Sequence, residues 1–233
     1  MTTVLSTDFS TSVTPSVGTP ATGRRNRWAL WGAAAGVFGG VATLLPSRVN
    51  LQKNDAHTTA SVIAQLHRWP YQVSVVAGFA AVACLLVAAA GWRRWAQERA
   101  PESLAASVIS KAFAASAGAM MIAYGFAGAL AVYLHGGMNA KMFSAQGLFS
   151  LYMILDFGPY IAWWGVAVAA AALVYAAFRE GRVPRWVGAV SVAFVVIALL
   201  PLVATGLPGM PGVLGPFWLA LVSVGLARSR RFA

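Results

Sequence analysis

Long apolar runs alternate with short polar or basic segments from Trp28 onwards. A helix needs about 20 residues to cross the hydrocarbon core of a bilayer, and most of the runs come close to that length or exceed it. The pattern predicts an all-α protein, a polytopic membrane helical bundle with six transmembrane helices in residues 28–228. The predicted spans cover about residues 28–46, 71–92, 104–134, 151–178, 186–206 and 213–227.

Polar segments surround these spans. Residues 1–27 are rich in Ser, Thr, Pro and Gly, which bury too little apolar surface to fold, so we expect a disordered tail there. Arg24 and Arg25 precede the first apolar run, as in a twin-arginine signal. That run is long for a signal segment and has no small-x-small cleavage site, so we expect a retained span. Residues 58–67 predict a short amphipathic helix near the interface, and residues 229–233 form a basic tail.

Glycines at helical spacing mark faces where another helix could approach closely. Gly32, Gly36 and Gly40 form two overlapping GxxxG steps in the first span, and Gly118 and Gly125 make the third span slim. Small residues at this spacing let helix backbones come together in a membrane. These glycines are therefore predicted helix-packing positions, either within the chain or against a partner helix.

The distribution of charge predicts an orientation. The chain is 59% hydrophobic and 10% charged, with a net charge of +11. When the N-terminus is placed in the cytoplasm, Arg48, Lys53, Arg68 and Lys141 are the basic residues that fall outside, and the rest of the 17 fall inside. The positive-inside rule then predicts a plasma-membrane protein with both termini cytoplasmic. The basic clusters suit an anionic inner leaflet as their partner and do not require a nucleic acid.

The fourth apolar run carries an acidic residue beside a predicted helix break. Gly158 and Pro159 follow Asp156, and a proline removes a backbone donor and clashes with the preceding turn. Asp156 lies about 23 residues before Arg179, roughly 34 Å of helix, which places it near the outer hydrocarbon boundary. An ionisable side chain in a membrane span is a candidate functional residue.

The predicted orientation gathers most of the remaining polar chemistry at the outer face. We expect a ligand or ion site there, and its candidate residues are His57, His67, Arg68, His135, Asp156 and Tyr160.

Several structural roles compete with that hypothesis. Asp156 could cap a helix or pair with Arg68 or Lys141, since half-buried carboxylates need partners. Interfacial residues also commonly satisfy headgroups, and the aromatic group Tyr160, Trp163 and Trp164 is predicted to form an interfacial belt. A metal site, or haem held by His67 and His135, would need ligands that converge in space. The metal and the cofactor are therefore left unassigned.

Common enzyme motifs are absent from the sequence. It contains no GxxxxGK[ST] loop, no GxSxG elbow and no HExxH pair. A single cysteine, Cys84, excludes an internal disulfide. No catalytic residue is predicted, and the sequence does not favour an enzyme.

The composition and the C-terminal segment resemble a known class of membrane proteins. The spans are rich in alanine and valine, the predicted inner loops are short and rich in arginine, and residues 206–226 read GLPGMPGVLGPFWLALVSVGL. In these respects the chain resembles the uncharacterised six-span membrane proteins of high-GC actinobacteria. The resemblance implies a six-helix plasma-membrane protein and assigns no functional residue.

Three functions remain open from the sequence. The first is a membrane-embedded binding or regulatory subunit that acts through helix–helix contacts with a membrane partner or a second copy of the chain. The second is a small transporter or permease with an outer vestibule around Asp156. The third is a redox protein that binds haem or metal through the outer-face histidines. Polar residues along a continuous path would favour transport, and a solid bundle with an exposed glycine strip would favour the subunit.

Overall fold

The computed structural model describes residues 27–50 and 59–229, and this part of the chain is helical with no strand. The predicted all-α class is confirmed. The tails fall outside the described residues apart from Arg27 and Ser229, as do His57 and Lys53. The α-helices of the described chain are α1 (Ala29–Val49), α2 (Trp69–Arg99), α3 (Leu104–Tyr133), α4 (Ala145–Ile161), α5 (Trp164–Phe178), α6 (Arg185–Thr205) and α7 (Met210–Arg228).

Six helical segments of the described chain are long and apolar enough to cross a membrane. Five are single helices, and the fourth, Ala145–Phe178, combines α4 and α5. The chain therefore has the architecture of a multi-pass membrane protein, as the apolar runs predicted. The fourth span begins earlier than the predicted residue 151, because α4 starts at Ala145, and α7 begins at Met210, which gives the last span 19 residues.

The spans close into a ring in the described chain. α1 packs against α2 and α7, α3 joins α2 to α5, and α6 lies between α5 and α7. α4 continues the α5 span towards one end of the ring, where it contacts α3 and α7. That end also holds the last turn of α1 and the first turn of α2. We refer to it as the Asp156 end.

The α1 glycine strip packs against α7. A Cβ added to Gly36 would lie 2.5 Å from the carbonyl oxygen of Pro216, and one added to Gly32 would lie 2.3 Å from Oγ of Ser223. Gly40 also faces Pro216. Such approach is possible only without a side chain, so these glycines set the distance between α1 and α7.

Gly118 and Gly125 on α3 differ from the α1 strip. A Cβ added to either would meet no described atom within 4 Å. Neither glycine therefore provides a helix contact within the described chain, and the α3 face that they share is open.

The fourth span breaks one turn later than Gly158 and Pro159 alone would indicate. α4 continues through Pro159 to Ile161, and α5 starts at Trp164. Ser116 on α3 stabilises the break, because its Oγ donates to the carbonyl of Ala162 (2.7 Å) and accepts from the N–H of Val166 (3.1 Å). A helix break within a bilayer needs such partners, since lipid offers no hydrogen bonds.

A short 3₁₀ helix, Ala60–Gln65, covers part of the Asp156 end. Its residues Val62 and Ile63, with Leu66 after it, are buried in a cluster with α4 residues such as Leu148 and Leu155. The apolar spacing of Val62, Ile63 and Leu66 thus reflects packing against α4, and the short amphipathic helix predicted here is a 3₁₀ helix.

Candidate functional site

A polar cavity of about 210 Å³ opens at the Asp156 end of the bundle, between α1, α2, α3 and α4. Apolar side chains such as Leu155 form part of its wall. We call it the Asp156 cavity, and its polar lining consists of Thr43, Ser47, Asn50, Tyr71, Ser74, Tyr152 and Asp156.

Asp156 is exposed on α4, and its carboxylate faces two phenol groups across the cavity. Tyr71, which is buried, and Tyr152, which is half-buried, both interact electrostatically with it. Within the described chain no ion pair involves Asp156, and its carboxylate accepts no hydrogen bond. The carboxylate therefore contributes negative charge to the cavity without a neutralising side chain from the described residues.

The α1–α2 wall of the cavity is held by Asn50. Its side-chain amide accepts from the N–H of His67 (2.9 Å) and donates to the carbonyl of the same residue (3.2 Å), and it lies beside Tyr71 in the lining. One turn deeper, Oγ of Ser74 donates to the carbonyl of Ala42 (2.7 Å). These contacts connect the end of α1 to the beginning of α2 and position the polar lining.

The floor of the cavity is a buried chain of hydrogen bonds. The indole Nε1 of Trp163 donates to Oγ1 of Thr43 (3.0 Å), and Thr43 Oγ1 lies 2.9 Å from the Tyr124 hydroxyl, which donates to the carbonyl of Gly39 (3.4 Å). Because Tyr124 uses its proton on Gly39, Thr43 is the donor in the middle bond. Every hydroxyl and indole group in the floor is thereby satisfied.

Trp163 fits between two helices at this depth. It is 0% exposed, and Cβ atoms added to Gly39 on α1 and Gly215 on α7 would lie 2.6 Å and 2.9 Å from its ring. The prediction that Trp163 belongs to an interfacial belt is wrong, because the break after α4 turns this side chain into the centre of the bundle. The indole and its partners close the cavity on its inner side.

The structure places Tyr160 next to the cavity and Arg68 elsewhere. The Tyr160 hydroxyl donates to Oγ of Ser47 (2.9 Å), a residue of the cavity lining. Arg68 donates from Nε to the carbonyl of Ala131 (2.7 Å) and from Nη1 to the carbonyl of Gly136. The guanidinium therefore caps the C-terminal end of α3, where a cation is favoured by the helix dipole, instead of pairing with Asp156.

The histidines do not join this site in the described chain. His67 and His135 are exposed, and neither lines the Asp156 cavity. The described residues contain no group of three or more His, Cys, Asp or Glu side chains that could hold a metal ion. The hydrogen bonds to Asn50 use the backbone of His67 and leave its imidazole out of the cavity.

The sequence did not reveal most of the polar lining or the floor of the cavity. Thr43, Ser74 and Tyr124 are isolated polar residues in apolar runs, and each lies on a different helix. The available signal was their placement in predicted spans, where a polar side chain must find a partner within the protein. No protein-family model, curated protein or solved structure matches the chain.

Proposed function

We propose that this chain is a membrane-embedded binding protein of the plasma membrane whose Asp156 cavity takes a small organic cation from the outer side. The observation that carries the proposal is the chemistry of the lining. It combines one carboxylate with hydroxyl and amide groups, and no Lys, Arg or His of the described chain lines it. Such a lining attracts positive charge and offers oxygen atoms that accept hydrogen bonds from an ammonium group.

The dimensions of the cavity support a small ligand. A volume of about 210 Å³ lies below the range of roughly 300–1,000 Å³ that is usual for small-molecule pockets. Tyr71 and Tyr152 add aromatic rings, which favour alkylammonium ions through cation–π contact. We therefore assign the cavity to compact amines or quaternary ammonium ions.

The proposed orientation follows from the basic residues. With the N-terminus inside, the α2–α3 and α5–α6 turns and both tails are cytoplasmic, and the Asp156 end faces outward. The carboxylate then meets ligands arriving from outside the cell. A membrane protein partner or a second copy of the chain remains part of the proposal for a binding subunit, but the α1 glycine strip is already covered by α7 and is not its docking surface.

Transport is a second candidate function, and the broken fourth span favours it. The break at Ala162 and Trp163 lies directly beneath the cavity, and transporters commonly bind substrate beside discontinuous helices. Passage of a solute would require the Trp163–Thr43–Tyr124 floor to open. A binding protein needs no such movement.

Ligand-dependent thermal stability of the purified protein tests the binding proposal. We would compare ammonium ions of increasing size with Na⁺, and use acetate as a ligand of opposite charge. The proposal predicts that one size class raises the melting temperature of the wild type and does not raise that of Asp156→Asn. Equal stabilisation of both proteins, or stabilisation by acetate alone, would contradict it.

Uptake into liposomes separates the two candidate functions. A cation that stabilises the protein but does not accumulate in protein-containing vesicles supports a binding protein. Accumulation that is lost in Asp156→Asn supports the transporter.

A further inference from the structure

A second groove, of about 650 Å³, lies at the end of the bundle opposite the Asp156 cavity. It runs between the last turns of α2 and the first turns of α3. Its lining includes Arg93 and Gln97 from α2 and Ser107, Ser110 and Lys111 from α3, and no acidic side chain of the described chain lines it.

The basic side chains of this groove lack an ion-pair partner in the described part of the chain, unlike the neighbouring Arg94. Arg94 forms an ion pair with Glu98, with 2.7 Å between Nε and Oε1. Arg93 and Lys111 are exposed and form no ion pair with a described residue. Two positive charges therefore line one groove without an ion-pair partner among the described residues, whereas the adjacent Arg94 is paired with Glu98.

Polar side chains near these cations can complete an anion site. Ser110 uses its hydroxyl to donate to the carbonyl of Ala89 (2.9 Å), and Ser103 donates to Glu180. The side chains of Ser107 and Gln97 line the groove and hydrogen-bond no described residue, so a hydroxyl and an amide remain as donors beside Arg93 and Lys111. Ammonium, guanidinium, hydroxyl and amide groups together are the donors that proteins use for phosphate oxygens.

The groove continues into an open apolar strip on α3. Ala114 lines the groove, and Gly118 and Gly125 lie seven and fourteen residues after Lys111, on the same helix face. Both glycines are exposed, with no described atom in reach of an added Cβ. A hydrocarbon chain can lie flat along such a surface, directly below the basic side chains.

We infer that this groove is a binding site for one anionic phospholipid. The phosphodiester lies between Arg93 and Lys111, and an acyl chain follows the strip from Ala114 to Gly125. The site combines two cations that lack an ion-pair partner in the described chain with an adjacent apolar strip. A phospholipid contacts both parts, whereas a free anion would leave the apolar strip uncovered and a neutral helix would leave the cations unpaired. The inference concerns a site separate from the Asp156 cavity and does not depend on its function.

Native mass spectrometry of the full chain in detergent tests the site. Phosphatidylglycerol and phosphatidylcholine with identical acyl chains would be titrated onto the wild type, Arg93→Gln, Lys111→Gln and the double variant. The matched control is Arg94→Gln, which removes the same charge one residue away. We expect tighter binding of phosphatidylglycerol by the wild type, a loss of about fivefold for each groove substitution, and no loss in the control.

Further measurements distinguish a phospholipid from a free phosphate ester as the ligand of the groove. If glycerol phosphate displaces the lipid at equal concentration, the site takes a free phosphate ester and the lipid assignment is overturned. Equal losses in Arg94→Gln and Arg93→Gln would show attraction to net charge alone and would also overturn it. If the double variant does not fold, Arg93→Lys supplies the folded comparison and is expected to retain most of the preference for phosphatidylglycerol.

Discussion

Thr43 is the residue on which the candidate site is built. It lines the Asp156 cavity, accepts a hydrogen bond from Trp163 and donates one to Tyr124, and it is buried throughout. A threonine is suited to this position because its hydroxyl donates and accepts at once, while its methyl group packs against apolar neighbours. The same side chain thus contributes to the floor of the cavity and to the contact between α1, α3 and the broken span.

Replacing Thr43 with valine should destabilise the protein although the volume is nearly unchanged. The substitution leaves the Trp163 indole without its acceptor and the Tyr124 hydroxyl without its donor, which costs about 1–3 kcal/mol per buried group. Chemical unfolding in detergent would measure the change. Thr205→Val is the matched control, since the Thr205 hydroxyl donates only to the carbonyl of Pro201 at an exposed position. Equal free energies of unfolding in the two variants would show that the floor contributes no stability.

At the scale of the elements, the broken fourth span connects stability to the cavity. α4 carries Asp156 and Tyr152, α5 packs in the ring, and the turn between them is satisfied by Ser116. The break lets Trp163 enter the bundle while α4 leaves room for the cavity. The structure of the site therefore depends on a hydroxyl that lies on a third helix.

Ser116→Ala should loosen the α4–α5 junction specifically. The carbonyl of Ala162 and the N–H of Val166 lose their partner, and we expect a loss of about 1–3 kcal/mol. Hydrogen exchange would show faster exchange around residues 162–166, with α6 unchanged. Ser150→Ala, which removes only an exposed bond to Gln146, serves as the control; similar exchange in both variants would argue against the role of Ser116.

Two glycine substitutions separate packed from open helix faces. Gly36→Ala places a Cβ against the backbone of α7 and should force α1 away, with a lower melting temperature. Gly118→Ala meets open space and should be neutral or stabilising, because alanine is favoured over glycine in a helix by about 1 kcal/mol. Thermal melts of both variants give the comparison, and equal destabilisation would contradict the described packing.

Across the molecule, the spans could be predicted, but of the site only Asp156 and the neighbouring Tyr160 could. Span number and helical class follow from the length of the apolar runs, which the bilayer thickness determines independently of tertiary contacts. Trp163 was misplaced because a tryptophan beside a proline break is equally compatible with an interface and a core. The cavity joins residues from α1, α2, α3 and α4, and the order of helices around the ring is not encoded in any local pattern. The same limit applies to Gly118, whose spacing matches a packing motif but whose face is open.

The orientation of the six spans in the membrane can be tested by labelling single cysteines from outside the cell. In a Cys84→Ser background, Asn139→Cys near the Asp156 end should react with a membrane-impermeant maleimide on intact cells. Glu102→Cys, in the turn between α2 and α3, should react only after the cells are opened. The opposite pattern would place the cavity on the cytoplasmic side and invert the proposal.

Binding of a small cation in the Asp156 cavity is tested by the stoichiometry of binding in calorimetry, with the ammonium ion that stabilises the wild-type protein most. We predict one site per chain, and binding at least about tenfold weaker in Asp156→Asn, because a charge-assisted hydrogen bond contributes about 1.5–3 kcal/mol. Glu98→Gln, which removes an equal charge at the opposite end, should bind as the wild type does. Undiminished binding by Asp156→Asn, or equal weakening in Glu98→Gln, would show that the Asp156 cavity is not the binding site.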